Sequence, residues 1–498
     1  MKPHRSLAVF LAALLALSPA LLRPALPEEA PAPGPRAPEE PAAKTPPAEA
    51  APALPSDAAR ISEELLAAFR ALLARDPRTP AVTNALTRNS LKELALDRKK
   101  ATGQDRHFTH TLKTGDVTNQ RASGRCWLFA GLNILRPHVL KKHNLANFEF
   151  SQNHLFFFDK LEKANLFLEG ILETRGRPLE DRLVTWLLQN PFPDGGQWNM
   201  VVDLLAKHGA VPLEVMPETR HSSGTGELNH LVSRLLRKFG AELRQASSEG
   251  KGLEELRARK VAMLADVYRI LAYHFGEPPA SFTWRYKDKD DKLSEARTYT
   301  PQSFYRDFVG LDLSEYAILY SCPAHDFGRL YRIQFDRDLA DRPDMTFANV
   351  SMDVLKGCAL KQLLAGEPVW FGCDVGQEHF GESGILRVGV YDYRSILGVD
   401  AELSKRDRVL YRESVPTHAM VFLGVDLADG KPVKWRVENS WGPDRGDKGY
   451  LTIYDDWFDE YLYAAVVHAK YLPDDVKEIL RQEPAVLPPW DPMYEALR

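Results

Sequence analysis

Near Pro368 the sequence changes texture, and that change constrains the fold more than any other feature. Upstream, apolar residues recur at helical spacing. Leu231, Leu235, Leu236, Phe239 and Leu243 share one face, and the runs Trp127–Lys142 and Leu253–Phe275 also read as helices. Downstream, Pro368–Asp374, His418–Val425 and Lys434–Glu438 are apolar or alternating, and Gly, Pro or Asp bounds most of them. Helices first and strands later imply an α+β protein with a helical half and a β-sheet half.

The 498 residues suffice for two or three domains or for one large domain with insertions. With 44% hydrophobic residues the chain can fill a sizeable core. A net charge of -4 without a long basic run argues against nucleic acid as a partner. Residues 1–20 read as a signal peptide: Lys2 and Arg5 precede the apolar run Leu7–Leu17, and Ser18-Pro19-Ala20 supplies small residues for cleavage. The run is short for a membrane span. Export to a bacterial periplasm or outside the cell is therefore expected, with no membrane attachment after cleavage. Residues 21–56, rich in Pro, Ala and Glu, form a linker with little to bury. A helical half (57–220), a helical insertion (221–367), a β-rich half (368–475) and a C-terminal arm (476–498) follow.

Four cysteines are too few for a disulfide framework, and none forms a Cys-x-x-Cys metal pair. Cys358 and Cys373 are expected as small buried packers. Cys126 is different. It stands where the loop Asn119–Arg125 becomes a helix, and the positive end of a helix favours a thiolate. Six residues upstream, Gln120 can fold back and donate to the oxyanion of an attacked carbonyl, with the Cys126 amide as second donor. His418 opens an apolar strand, and Asn439 ends another with an amide oxygen able to hold an imidazole N–H; Trp441 follows closely enough to shield that bond. A cysteine at a helix start, a histidine in a strand or an Asn-Ser turn is usually structural when met alone. Their coincidence supplies nucleophile, oxyanion donor, base and orienter.

These residues resemble the papain family, whose motif Cys-Gly-Ser/Ala-Cys-Trp/Tyr reads here Ser123-Gly124-Arg125-Cys126-Trp127. Ser123 replaces a disulfide cysteine, and Arg125 replaces a small residue. His418 and Asn439 lie about 290 and 310 residues beyond Cys126, against about 130–150 in ordinary relatives, so roughly 150 residues are inserted, chiefly between Pro217 and Pro368. Both departures are similar to the bleomycin hydrolase and aminopeptidase C branch. The likeness runs from about Asn84 to Arg498 through Asp194-Gly195-Gly196-Gln197-Trp198, Trp370–Gly376, Arg436–Gly442 and Leu487–Met493.

That resemblance implies a papain-like fold with large insertions and an aminopeptidase acting on peptide substrates. It implies Cys126 as nucleophile, His418 as base, Asn439 as orienter, Gln120 as oxyanion donor, and Gly195 and Gly196 as the pair that meets the substrate backbone. It also implies a homohexamer, and a C-terminal arm lying in the cleft with its end near the substrate's amine. Here the arm ends at Arg498, whose cation would repel an amine unless it is trimmed or points away. No metal or organic cofactor is implied. The expected attacking species is a Cys126 thiolate paired with a His418 imidazolium. Two other functions remain open: a transglutaminase-type acyl transfer, which uses the same triad, and a nucleic-acid-binding or scaffold role. The family's relatives are mostly cytosolic, so a cytoplasmic location is the alternative to export.

Overall fold

The computed structural model describes residues 60–495. The signal-like segment 1–20, the linker 21–56 and Arg498 lie outside the described residues. Two compact units divide between Thr79 and Pro80. The first holds the helix Glu63–Arg75. Ser62 starts it by accepting the Leu65 amide at 3.2 Å, and Glu63 and Glu64 place negative charge at its positive end.

The second unit is α+β. Its helical part is built on Gln152–Glu173, which packs against Trp198–His208, Gly226–Ser248, Leu253–Phe275 and Cys126–Asn133. In Gly226–Ser248 the buried stripe is Leu228, Val232, Leu236, Phe239 and Leu243, while Leu231 is exposed. Its leucines cover a wider arc than the neighbouring helices can bury.

The sheet runs, edge to edge, through Ala485–Leu487, Arg329–Ile333, Thr346–Asn349, Tyr316–Tyr320, Leu462–His468, Val369–Cys373, His418–Ala428, Lys431–Glu438, Tyr450–Tyr454, Ile385–Leu386 and His379–Phe380. The segment 221–367 is therefore not wholly helical, as its sequence suggested. It holds Gly226–Ser248, Leu253–Phe275 and Met352–Leu364, but also three strands of the main sheet and the ribbon Phe282–Trp284 with Arg297–Tyr299. Apolar runs of four or five residues, such as Tyr316–Tyr320, do not distinguish strand from buried helix by periodicity. The arm contributes an edge strand of its own, Ala485–Leu487, parallel to Arg329–Ile333.

His418–Ala428 is central and is buried on both faces over its first eight residues. Ala419, Val421 and Leu423 join the core that contains Cys126 and Trp127. Met420 and Phe422 join a second core, with Leu355, Cys358 and Leu363 of the Met352–Leu364 helix. The period of two thus sorts one strand between two cores. Antiparallel pairing sets His418 opposite Cys373 and Val421 opposite Glu438. All four cysteines are free and buried.

Candidate active site

Cys126 is the first residue of the helix Cys126–Asn133. The loop ahead of it is held on both sides. Gly124 donates to Asp194 Oδ2 at 3.0 Å, and Gly124 is obligatory there, because a Cβ would stand 2.7 Å from the Asp194 Cβ. Asp194 is a hub. It also accepts from Thr225 Oγ1 at 2.5 Å and Asn229 Nδ2 at 2.7 Å, and pairs with Lys160 Nζ at 2.7 Å. Burial opposes its charge, but the Lys160 ammonium and these donors outweigh it and hold the carboxyl below its ordinary range.

Arg125 has its whole guanidinium inside. It forms a bidentate pair with Glu218, at 2.9 and 2.8 Å, and its Nε donates to Ser123 Oγ at 2.9 Å. Its cation lies over the Phe129 and Phe156 rings. Ser123, at the position of a disulfide cysteine in the papain motif, thus takes part in a polar clamp on the same loop. Glu218 was not singled out from the sequence; a buried Arg beside the cysteine signals only that some acid must meet it.

His418 Nε2 lies 2.9 Å from Asn439 Oδ1. The same oxygen accepts the Ser440 backbone N–H at 2.8 Å. A backbone amide can only donate, so this atom is the oxygen, and the ring nitrogen facing it must carry hydrogen. The neutral imidazole therefore keeps its lone pair on Nδ1. Upstream, the Thr417 amide donates to Cys373 O at 2.9 Å, and Asp374 accepts from Ser414 and Thr417 hydroxyls at 2.9 and 3.2 Å. These bonds fix where the strand begins. The His418 strand packs against the Cys126 helix, and the amide of Ala419, the residue after His418, favours the Cys126 thiolate.

Gln120 is held by its own loop and by the residue after Asn439. Its backbone N–H donates to Ser440 O at 2.7 Å, its Nε2 to Ser123 O at 2.7 Å, and its Oε1 accepts from Ser440 Oγ at 2.6 Å. One Nε2 hydrogen remains for a ligand. Ser440 was read from the sequence only as part of a turn; its hydroxyl in fact orients this amide. Trp441 lies over the imidazole, with ring centroids 4.9 Å apart.

Burial opposes a charge on Cys126 or His418 alone. It pushes the Cys126 thiol up to about 11 and the His418 imidazolium down to about 4. The Ala419, Trp127 and Cys126 amides favour the thiolate, and Asn439 favours the imidazolium. The amides at the helix start pull the thiol down, in the direction the sequence suggested. Desolvation exceeds that pull. Moving the thiol proton to Nδ1 creates both charges together without changing the net charge of the site.

The glycine pair is placed by packing. The Gly195 carbonyl accepts from Lys163 Nζ at 2.6 Å, and a Cβ on Gly196 would strike the Trp127 ring at 2.6 Å. Trp127 Nε1 also donates to Asp194 O at 2.9 Å. Next in sequence, Gln197 Nε2 donates to Met493 O at 3.2 Å, which fastens the arm beside this segment. Met493 and Tyr494 are buried, the Tyr494 hydroxyl donates to Phe335 O at 3.0 Å, and Asp491 pairs with His325 at 2.9 Å. Trp490 lies under the Arg182 guanidinium.

A model described as the peptidase C1-like family matches residues 60–494. Aminopeptidase C of Streptococcus thermophilus is 40% identical over 435 residues, covering 87% of this chain and 97% of that protein. Bleomycin hydrolase of Rattus norvegicus is 38% identical over 447 residues, covering 87% and 98%. The crystal structure of pepw from Lactobacillus rhamnosis HN001 superposes with a TM-score of 0.85 at 40% identity, over 87% of this chain and 99% of that one.

Proposed function

The chain belongs to the peptidase C1-like family and is a papain-like cysteine aminopeptidase; on that premise we propose that Cys126, His418, Asn439 and Gln120 perform its chemistry. The observation that carries the proposal is the meeting of the His418 strand with the start of the Cys126 helix, with Nε2 occupied by Asn439 and Nδ1 left as the base.

Substrate attack begins with transfer of the Cys126 proton to His418 Nδ1. The thiolate adds to the first peptide carbonyl, and the oxyanion accepts from the Cys126 amide and the remaining Gln120 Nε2 hydrogen. Collapse breaks the C–N bond as the imidazolium protonates the departing amine, leaving an acyl-enzyme. His418 then removes a proton from water, and hydrolysis regenerates the thiol. Asn439 keeps the ring in the tautomer this requires. Gly196 meets the substrate backbone, and Trp441 keeps water from the His418–Asn439 bond.

The arm explains the choice of chain end. With Met493 held by Gln197, the described part of the arm lies on the non-primed side of the cleft and leaves space for one substrate residue before the scissile bond. Support comes from the burial of Met493 and Tyr494. The same reading includes a homohexamer, to be tested by light scattering. It also includes export, supported by Lys2, Arg5 and the run Leu7–Leu17.

Amino-acid amides and matched N-blocked peptides test the function. Free amines should be released by the native protein and not by Cys126→Ala, and blocking the N-terminus should suppress cleavage. Release that persists in Cys126→Ala overturns the proposal; transfer to added amines in place of hydrolysis would assign an acyl transferase.

A further inference from the structure

A cavity of about 680 Å³ opens beside Trp441, lined by Asn119, Arg121, His379, Asp444 and Arg445 among others. Its position follows from the reaction. His418 gives its proton to the departing amine, so that amine stands at the imidazole, and Trp441 borders the imidazole at 4.9 Å. In the reading proposed above, the glycine pair and the arm hold the part of the substrate before the scissile bond. His379 adds a second ring next to Trp441, with centroids 6.1 Å apart.

The lining is charged in a directional way. Arg121 and Arg445 are both exposed, and among the described residues no carboxylate pairs with either guanidinium. Asp444 is the one carboxylate among the cavity's lining residues, so cations outnumber anions. Burial lowers the His379 imidazolium to about 4, and this ring adds no charge near neutrality.

Arg121 is also held at φ 54°, a left-handed conformation that a long side chain rarely adopts. The backbone around it is stapled to the Trp441 loop. Gln120 N–H donates to Ser440 O at 2.7 Å, Gly442 N–H to Thr118 O at 3.0 Å, and Arg121 N–H to Asn119 Oδ1 at 2.9 Å. The backbone that carries Arg121, directly after Gln120, is thereby fixed beside the cavity.

We infer that this cavity receives the leaving part of the substrate and that Arg121 and Arg445 select a carboxylate there. The favoured class is peptides whose second residue is acidic, or dipeptides whose free C-terminus falls in the same place. The inference rests on the aminopeptidase reading above, because it takes His418 as the group that meets the leaving amine.

Release of alanine from Ala-Glu-Ala amide, Ala-Gln-Ala amide, Ala-Lys-Ala amide, Ala-Ala and Ala-Ala amide tests it. At low salt the Glu peptide should exceed the Gln peptide in kcat/KM by about five- to tenfold, as expected for exposed ion pairs, with the Lys peptide lowest. High salt should shrink the difference. An advantage of Ala-Ala over its amide assigns the site to terminal carboxylates as well as to side chains. Arg121→Gln and Arg445→Gln should each reduce the Glu/Gln ratio, and Arg445→Glu, on an exposed turn, should reverse it. A wild-type ratio near one, or a ratio unchanged in all three variants, overturns the inference. Failure to release alanine from any of the five would instead overturn the aminopeptidase reading.

Discussion

The Ser440 hydroxyl lies 2.6 Å from Gln120 Oε1, while Gln120 Nε2 donates to Ser123 O at 2.7 Å. A carbonyl can only accept, so the orientation of the amide is unambiguous and Ser440 is the donor. One dipeptide, Asn439-Ser440, therefore orients the proposed base with its first side chain and the proposed oxyanion donor with its second.

Ser440→Ala should lower kcat by about tenfold with little change in KM, because the amide stays present but is held only through its Nε2 bond to Ser123 O. Gln120→Ala should cost about 100- to 1,000-fold. Steady-state kinetics on an amino-acid amide separate the two, and Ser440→Thr should recover part of the loss. Equal losses in Ser440→Ala and Gln120→Ala would contradict an orienting role.

His418→Ala should expose the burial of the thiol. Without an imidazole to take the proton, Cys126 keeps the value set by desolvation, about 11, and is protonated at every lower pH. Alkylation by iodoacetamide should then rise about tenfold per pH unit up to that range, and at pH 7 should be slower than in the native protein by on the order of 10³-fold. An unchanged alkylation rate would mean that the thiolate does not depend on this ring.

Glu218→Ala leaves the Arg125 guanidinium buried without its partner and should cost about 3 kcal/mol in stability. Urea denaturation reads the loss directly. Glu218→Gln, which keeps the shape and an acceptor, should cost less. Midpoints indistinguishable from the native protein in both variants would show that the clamp is not needed.

Gly196→Ala should strain the packing on Trp127. The added Cβ lies 2.6 Å from the ring, and overpacking of this kind costs about 1–3 kcal/mol. Because Trp127 follows the proposed nucleophile, activity should fall together with stability, checked by parallel melting and rate measurements. Gly176→Ala, with nothing within 4 Å of the added Cβ, is the control.

Much of the site was legible because its residues carry local signals. Cys126 begins a helix after a Gly-containing loop, His418 opens an apolar strand, and Asn439-Ser440 ends another. What holds them was not legible. Arg125 finds Glu218 at a separation of 93 residues, Trp127 finds Asp194 at 67, and Gln197 finds Met493 at 296. Such pairs depend on tertiary packing, and no periodicity records them. The strands within 221–367 escaped for a related reason: they are short, and the pairs that join them to the rest of the chain come from Leu462–His468 and the arm.

The two-sided burial of His418–Ala428 has a consequence for how errors in folding are rejected. Sliding this strand by one position would send Met420 and Phe422 toward the helices and Val421 toward the Met352–Leu364 side, misplacing the imidazole in the same movement. A misregistered chain is thus penalised across two apolar compartments before any hydrogen bond at the thiol is made. Alignment of the proposed reactive pair is inherited from bulk packing, and remodelling at the cleft rim leaves it intact.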